Sequence, residues 1–152
     1  MRPAFLLLLT CFFLTGCAPS VVIVEETEKD LALREMLFRH AMRAPKGQQV
    51  WFIDYGNGKD PPPKFLKRFT DLQDPVKSAS EAEKPRFGGI RDPETGRRGY
   101  IVRAHIIRWI DENTAEVEYE ARHHGLDARG GKGIAHFEDG KWTLQINAPW
   151  RA

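Results

Sequence analysis

The chain has 152 residues, is 41% hydrophobic and 29% charged, and carries a formal net charge of +2 at pH 7. This is the composition of an ordinary globular protein, and the length suits one domain plus a tether. Basic and acidic residues are interleaved, and only Arg97-Arg98 and Arg34/Arg39/Arg43 approach a cluster, which argues against nucleic acid as a partner.

The N-terminus opens with Arg2, an apolar run from Ala4 to Leu14, and the small residues Thr15-Gly16 before Cys17. Positive, apolar, then small is the order of an export signal. Leu14-Thr15-Gly16-Cys17 resembles the lipobox of bacterial lipoproteins. The resemblance implies that the Cys17 thiol is alkylated by diacylglycerol, that residues 1–16 are removed as a signal peptide, and that the new terminus gains a further acyl chain. Two or more chains anchor stably. Each buried methylene contributes about 0.8 kcal/mol, while a single myristoyl-sized chain holds only marginally. On this reading the lipid bilayer is the first partner, residues 17–26 are a lipidated tether, and residues 27–148 form a single domain in the cell envelope. In a host with two membranes, Ala18 lacks the Asp-type signal for inner-membrane retention, so the outer membrane, facing the periplasm, is expected. The competing readings are plain secretion and an uncleaved transmembrane helix over Pro3–Val24, since a span needs roughly 20 apolar residues. Gly16 and Pro19 interrupt such a helix, and the cysteine stands where a cleaved signal needs it. The two cysteines are Cys11 and Cys17, so beyond residue 17 there is no thiol nucleophile, cysteine zinc site, redox pair or disulfide.

Thr27-x-x-Asp30 is a helix start, and Leu33, Met36, Leu37, His40 and Ala41 recur at helical spacing. Pro45 and Gly47 stop this helix, predicted over Thr27–Arg43. Val50–Tyr55 is rich in β-formers and reads as a strand ended by Gly56-Asn57-Gly58. Asp60 and three prolines open a short helix, capped by Asp60 or a neighbour, with Phe65, Leu66 and Phe69 on its buried side. Val76–Ala82 reads as a short strand. Asp92-Pro93-Glu94-Thr95-Gly96 is a turn that joins Arg86–Arg91 to the next strand as a hairpin.

Tyr100–Ile110 is a long strand turned by Asp111–Thr114. Ala115–Arg122 alternates strictly, which buries Ala115, Val117, Tyr119 and Ala121 and leaves Glu116, Glu118, Glu120 and Arg122 wet. Gly125–Gly131 reads as a flexible loop. Ile134–Glu138 and Lys141–Asn147 are strands joined by Asp139-Gly140, a good two-residue hairpin turn. Trp142, Leu144 and Ile146 share one face. The expected class is α+β, an N-terminal helix and a short second helix packed on a three- or four-stranded antiparallel meander. This order, ending in Glu138-Asp139-Gly140-Lys141-Trp142, resembles the cystatin-like and nuclear-transport-factor-2-like rolls. Trp51, Asp60-Pro61, Val76-Lys77-x-x-Ser80, Thr95-Gly96 and Lys141-Trp142 also look like uncharacterised exported bacterial proteins, a likeness that implies no activity.

Candidate chemistry is sparse. His123-His124 point to opposite faces of a strand, so a metal site would need His105, His136 and Asp127 to converge; no metal or cofactor is expected. Ser78 and Ser80 lack a nucleophile-elbow pattern. Gly130-Gly131-x-Gly133 precedes a strand rather than a helix and is a poor phosphate cradle. Asp54, beside Tyr55 at a strand end, is the best acid/base candidate, and enzymes of the nuclear-transport-factor-like kind imply pairing it with His105 or His123. A strand-end Asp capping the Gly56 turn is the plainer alternative. Trp51, Tyr55, Trp109, Tyr119 and Trp142 either line an apolar pocket or fill the core. The expected function is a non-catalytic binding or envelope-associated domain for a protein, glycan or small apolar ligand. The alternatives are a small roll-fold enzyme and a structural or inhibitor-like envelope protein.

Overall fold

The computed structural model of the chain describes residues 26–43 and 48–152. The predicted signal peptide, Cys17, the tether up to residue 25 and the stop at Pro45 and Gly47 lie outside the described residues. No helix among the described residues is long and apolar enough to cross a membrane.

Helix α1 is Glu28–Ala41. Thr27 caps it as the spacing to Asp30 predicts: the Asp30 amide donates to Thr27 Oγ1 at 3.2 Å, and the Thr27 amide donates to Asp30 Oδ2 at 2.9 Å. Such a box satisfies two otherwise orphaned amides and contributes about 1 kcal/mol. Leu33, Leu37, Phe38 and Ala41 form the buried stripe, while Met36 and His40 are half-buried at its margin.

The sheet has six strands in the order β2-β1-β3-β4-β5-β6. They are β1 (Gln49–Asp54), β2 (Val76–Ser78), β3 (Arg98–Asp111), β4 (Thr114–His124), β5 (Asp127–Glu138) and β6 (Lys141–Arg151). With α1 and the short α2 (Pro63–Leu66) they make an α+β domain. Strands β3 to β6 are the expected antiparallel meander, but the sheet is larger and mixed, because β1 pairs in parallel with both β2 and β3. The cause lies in β1 itself, buried along its whole length. Trp51 and Ile53 join the core under α1, and Val50 and Phe52 pack with Ala79 and Ile101 on the other face. A strand dry on both faces needs a neighbour on each edge.

Three local expectations are corrected. The strand predicted over Val76–Ala82 ends at Ser78, where a second capping box with Glu81 turns the chain into a 3-10 turn at Ala79–Glu81. Asp60 does not cap α2; it accepts from Ser80 N at 3.1 Å and Ser80 Oγ at 2.5 Å. The flexible loop predicted over Gly125–Gly131 is mostly strand, with β5 starting at Asp127. Its glycines make room for rings: a Cβ on Gly130 would stand 2.6 Å from the Trp150 ring, and one on Gly131 3.2 Å from the Tyr119 ring.

The alternation of β4 is as predicted, with Ala115, Val117, Tyr119 and Ala121 buried. Asp139 and Gly140 have φ of 50° and 75°, the backbone that a two-residue hairpin between β5 and β6 requires. The Asp92–Gly96 turn closes by Gly96 N donating to Asp92 O at 2.8 Å, and Arg91 bridges Arg98 antiparallel. The buried Asp92 carboxylate accepts from Thr95 Oγ1 at 2.6 Å and Lys77 Nζ at 2.9 Å. Strand β6 runs to Arg151, past the predicted end at Asn147.

Candidate functional site

Asp54 ends β1, and its two oxygens are both engaged. Oδ1 accepts from Gly56 N at 3.1 Å and Gly58 N at 3.0 Å; Oδ2 accepts from Arg103 Nε at 2.9 Å. Burial acts to raise this carboxyl, but the Arg103 and backbone bonds outweigh it, so Asp54 ionises below the usual carboxylate range. A held carboxylate of this kind is a turn cap and an ion-pair partner.

The structure does not bring Asp54 to either histidine. His105 lies opposite Glu118 in the β3–β4 pairing, while the residue opposite Asp54 is Arg103. His123, near the end of β4, reaches the start of β3 and donates from Nδ1 to Gly99 O at 2.8 Å. The expectation that His123 and His124 diverge is corrected: the β4–β5 register shifts between Arg122 and His124, and the two rings sit 5.1 Å apart. Even so, no group of three metal-ligating side chains forms among the described residues.

The aromatic candidates separate as well. Trp51 is core, 2% exposed and 5.3 Å from the Tyr100 ring. Tyr55 packs 4.9 Å from Phe65 and donates to Glu26 Oε2 at 2.5 Å; burial, then that carboxylate, pushes its hydroxyl well above the ordinary value. Tyr119 sits under the His40 ring at 4.7 Å. Trp109 is 42% exposed and faces Trp142 at 5.8 Å.

A groove of about 510 Å³ lies between α1 and β6, with Trp142 in its wall. Its walls are Ala32 and Met36 of α1 and Trp142 and Leu144 of β6, with His40 and Arg43 toward the C-terminal end of α1. Both ends of α1 are fastened to the sheet. At the start, Trp142 Nε1 donates to Lys29 O at 3.1 Å, and Lys29 Nζ lies 4.7 Å over the Phe137 ring. At the finish, Arg129 donates to Ala41 O at 3.4 Å, with its guanidinium over Tyr100 at 5.5 Å.

The charges at the groove are unequal in their partners. Arg39 is satisfied, with Glu35 at 2.9 Å and Asp71 at 2.8 Å. Arg43 makes no ion pair among the described residues. Burial, and then the Arg43 charge, hold His40 below the ordinary histidine value. Met36, Arg43 and Leu144 were not singled out by sequence reasoning as a site. The available signal was the second stripe of α1, Ala32/Met36/His40/Arg43, together with the apolar alternation of a last, hence edge, strand.

Acid lability follows. Burial first, with the Arg98 charge assisting, lowers His123, just as burial and Arg43 lower His40. Between the ordinary value of about 6.5 and these depressed values the unfolded chain binds more protons than the folded one, so stability falls as pH falls. Asp92 is lowered chiefly by the Thr95 bond and then by Lys77, so it adds a second loss below about pH 4. The thermal midpoint is expected to drop from pH 7 to pH 5, and the double variant His40→Gln/His123→Gln to flatten that slope. Equal slopes in the two proteins would contradict the assignment.

Set against protein-family models, curated proteins and solved structures, the chain matches none.

Proposed function

We propose that this is an exported, lipid-anchored binding domain without catalytic activity, held on a membrane of the cell envelope by acylated Cys17 and engaging its partner in the α1–β6 groove. The observation that carries the binding half is the α1–β6 groove. It is a groove at the sheet margin with apolar walls and a cationic end, whereas the best acid in the chain, Asp54, has both oxygens occupied. Leu14-Thr15-Gly16-Cys17 supports the anchoring half. The closer assignment to a cystatin-like or nuclear-transport-factor-2-like roll belongs to the same reading. It is supported by α1 lying on one face of the β3–β6 meander, which ends in the Lys141-Trp142 hairpin.

Cys17→Ser tests the anchor. The variant is expected to leave the membrane fraction or to accumulate as the longer precursor. Wild-type fractionation and migration would contradict lipidation at this residue.

A further inference from the structure

Among the described residues, strand β6 is the last in the sheet and pairs only with β5. Its outer row of N–H and C=O groups has no backbone partner among the described residues. An open edge of 11 residues is a template for another strand, and folded proteins guard such edges with lysine, proline or a bulge. Strand β6 has all three guards, but toward its ends. Lys141 opens it, the register shifts past Ile146, and Pro149 has no N–H to offer. Trp142 to Ile146 carries none of these guards, and Trp142, Thr143 and Leu144 of this stretch line the groove.

Resting on the binding reading above, we infer that the groove takes an extended peptide segment of another protein as a seventh strand along Trp142–Ile146, with apolar residues at alternate positions and a carboxylate beside Arg43. Each element of that chemistry has its counterpart. Backbone bonds to the edge supply affinity, and pockets for alternate side chains supply specificity. Every second side chain of an added strand would share the face of Trp142, Leu144 and Ile146, which pack against the core, and would meet Met36 across the groove. The intervening ones would lie beside Thr143 and Gln145. The volume is within the usual range for a ligand site, about 300–1,000 Å³. Among the described residues no carboxylate pairs with Arg43, so an acidic end is attracted there and a basic one repelled. A second copy of this chain is a poorer occupant, because β6 itself contains no acidic residue to meet Arg43.

The test uses the full chain in detergent and a displayed library of random ten-residue peptides, followed by anisotropy of the enriched peptides and amide exchange of the complex. The expected peptides alternate apolar residues and carry an acid at one end. They protect the Trp142–Ile146 amides, and they bind Arg43→Glu and Met36→Glu at least tenfold more weakly, while exchange in β4 stays as in wild type. Replacing the peptide acid by lysine should cost as much as Arg43→Glu. No enriched peptide, protection elsewhere, or undiminished affinity for both variants would overturn the inference. So would a dimer in which the β6 edge is already protected. Anilinonaphthalene sulfonate bound to wild type and lost in Met36→Glu, with no peptide bound, would leave the groove a binding site and remove only the strand. Peptide binding by a chain whose Cys17 proves unmodified would remove only the anchor.

Discussion

Val117→Asp is expected to destabilise the domain by several kcal/mol, on the order of 4, and to lower the thermal midpoint by roughly 10–20 °C. Val117 is fully buried in the middle of β4, paired with Ile106 on one side and Gly133 on the other. A carboxylate there has apolar neighbours under α1 and no cation to meet. It must either ionise in a dry site or take up a proton at a cost. One residue along, Glu118 points to the other face, opposite His105 and Lys132. Glu118→Lys loses a favourable neighbour and gains a like charge, so it should cost only about 0.5 kcal/mol. Melting curves of the two variants make the comparison. Similar shifts would mean that β4 does not separate a dry face from a wet one.

Phe38→Ala is expected to cost about 3–5 kcal/mol. Phe38 is completely buried on α1, with the Phe65 ring at 5.8 Å and the Phe69 ring at 6.5 Å, both edge-on, and the Tyr55 ring stacked at 6.4 Å. Truncation leaves a cavity where α1, β1 and the α2 segment meet, and it removes aromatic pairs that contribute beyond their area. Phe87→Ala is the control. Phe87 is 83% exposed, so its loss should stay within about 0.5 kcal/mol. Urea unfolding measures both. A Phe38→Ala midpoint close to wild type would show that the N-terminal helix is not seated on the sheet as described.

What could be read from the sequence was local. The Thr27–Asp30 box, the alternation of Ala115–Arg122 and the Asp139-Gly140 turn each depend on neighbours within a few residues, and each stands as predicted. Parallel pairing of β1 with β2 and β3 was not legible, because it joins segments that no short turn connects. Gly130 and Gly131 read as loop because glycine favours loops. Their actual reason is tertiary, since Trp150 and Tyr119 lie over them. Gly133 is similar: a Cβ there would stand 2.3 Å from Gln145 O, at the register shift of β6. Short motifs do not encode such contacts.

The candidate site divides the same way. That Asp54 caps the Gly56 turn was visible from spacing; that Arg103 takes its second oxygen depended on the β1–β3 register. The five aromatics were read as one group because they share a chemistry, but the chain places them around α1, the hairpin tips and the core. In the sequence Arg43 stands only as part of the Arg34/Arg39/Arg43 near-cluster. Its role at the groove emerges only when β6 is known to be the edge strand beside it.

On the proposed function, an acylated Cys17 holds this domain on a membrane. Mass analysis of the N-terminal peptide, from chain expressed with its own leader in a bacterial host and purified from envelopes, tests it most directly. The account predicts a peptide that begins at Cys17 and carries a diacylglycerol thioether with a further acyl chain on the terminal amine. A peptide that still contains Leu14-Thr15-Gly16, or a Cys17 with a free thiol, would contradict it.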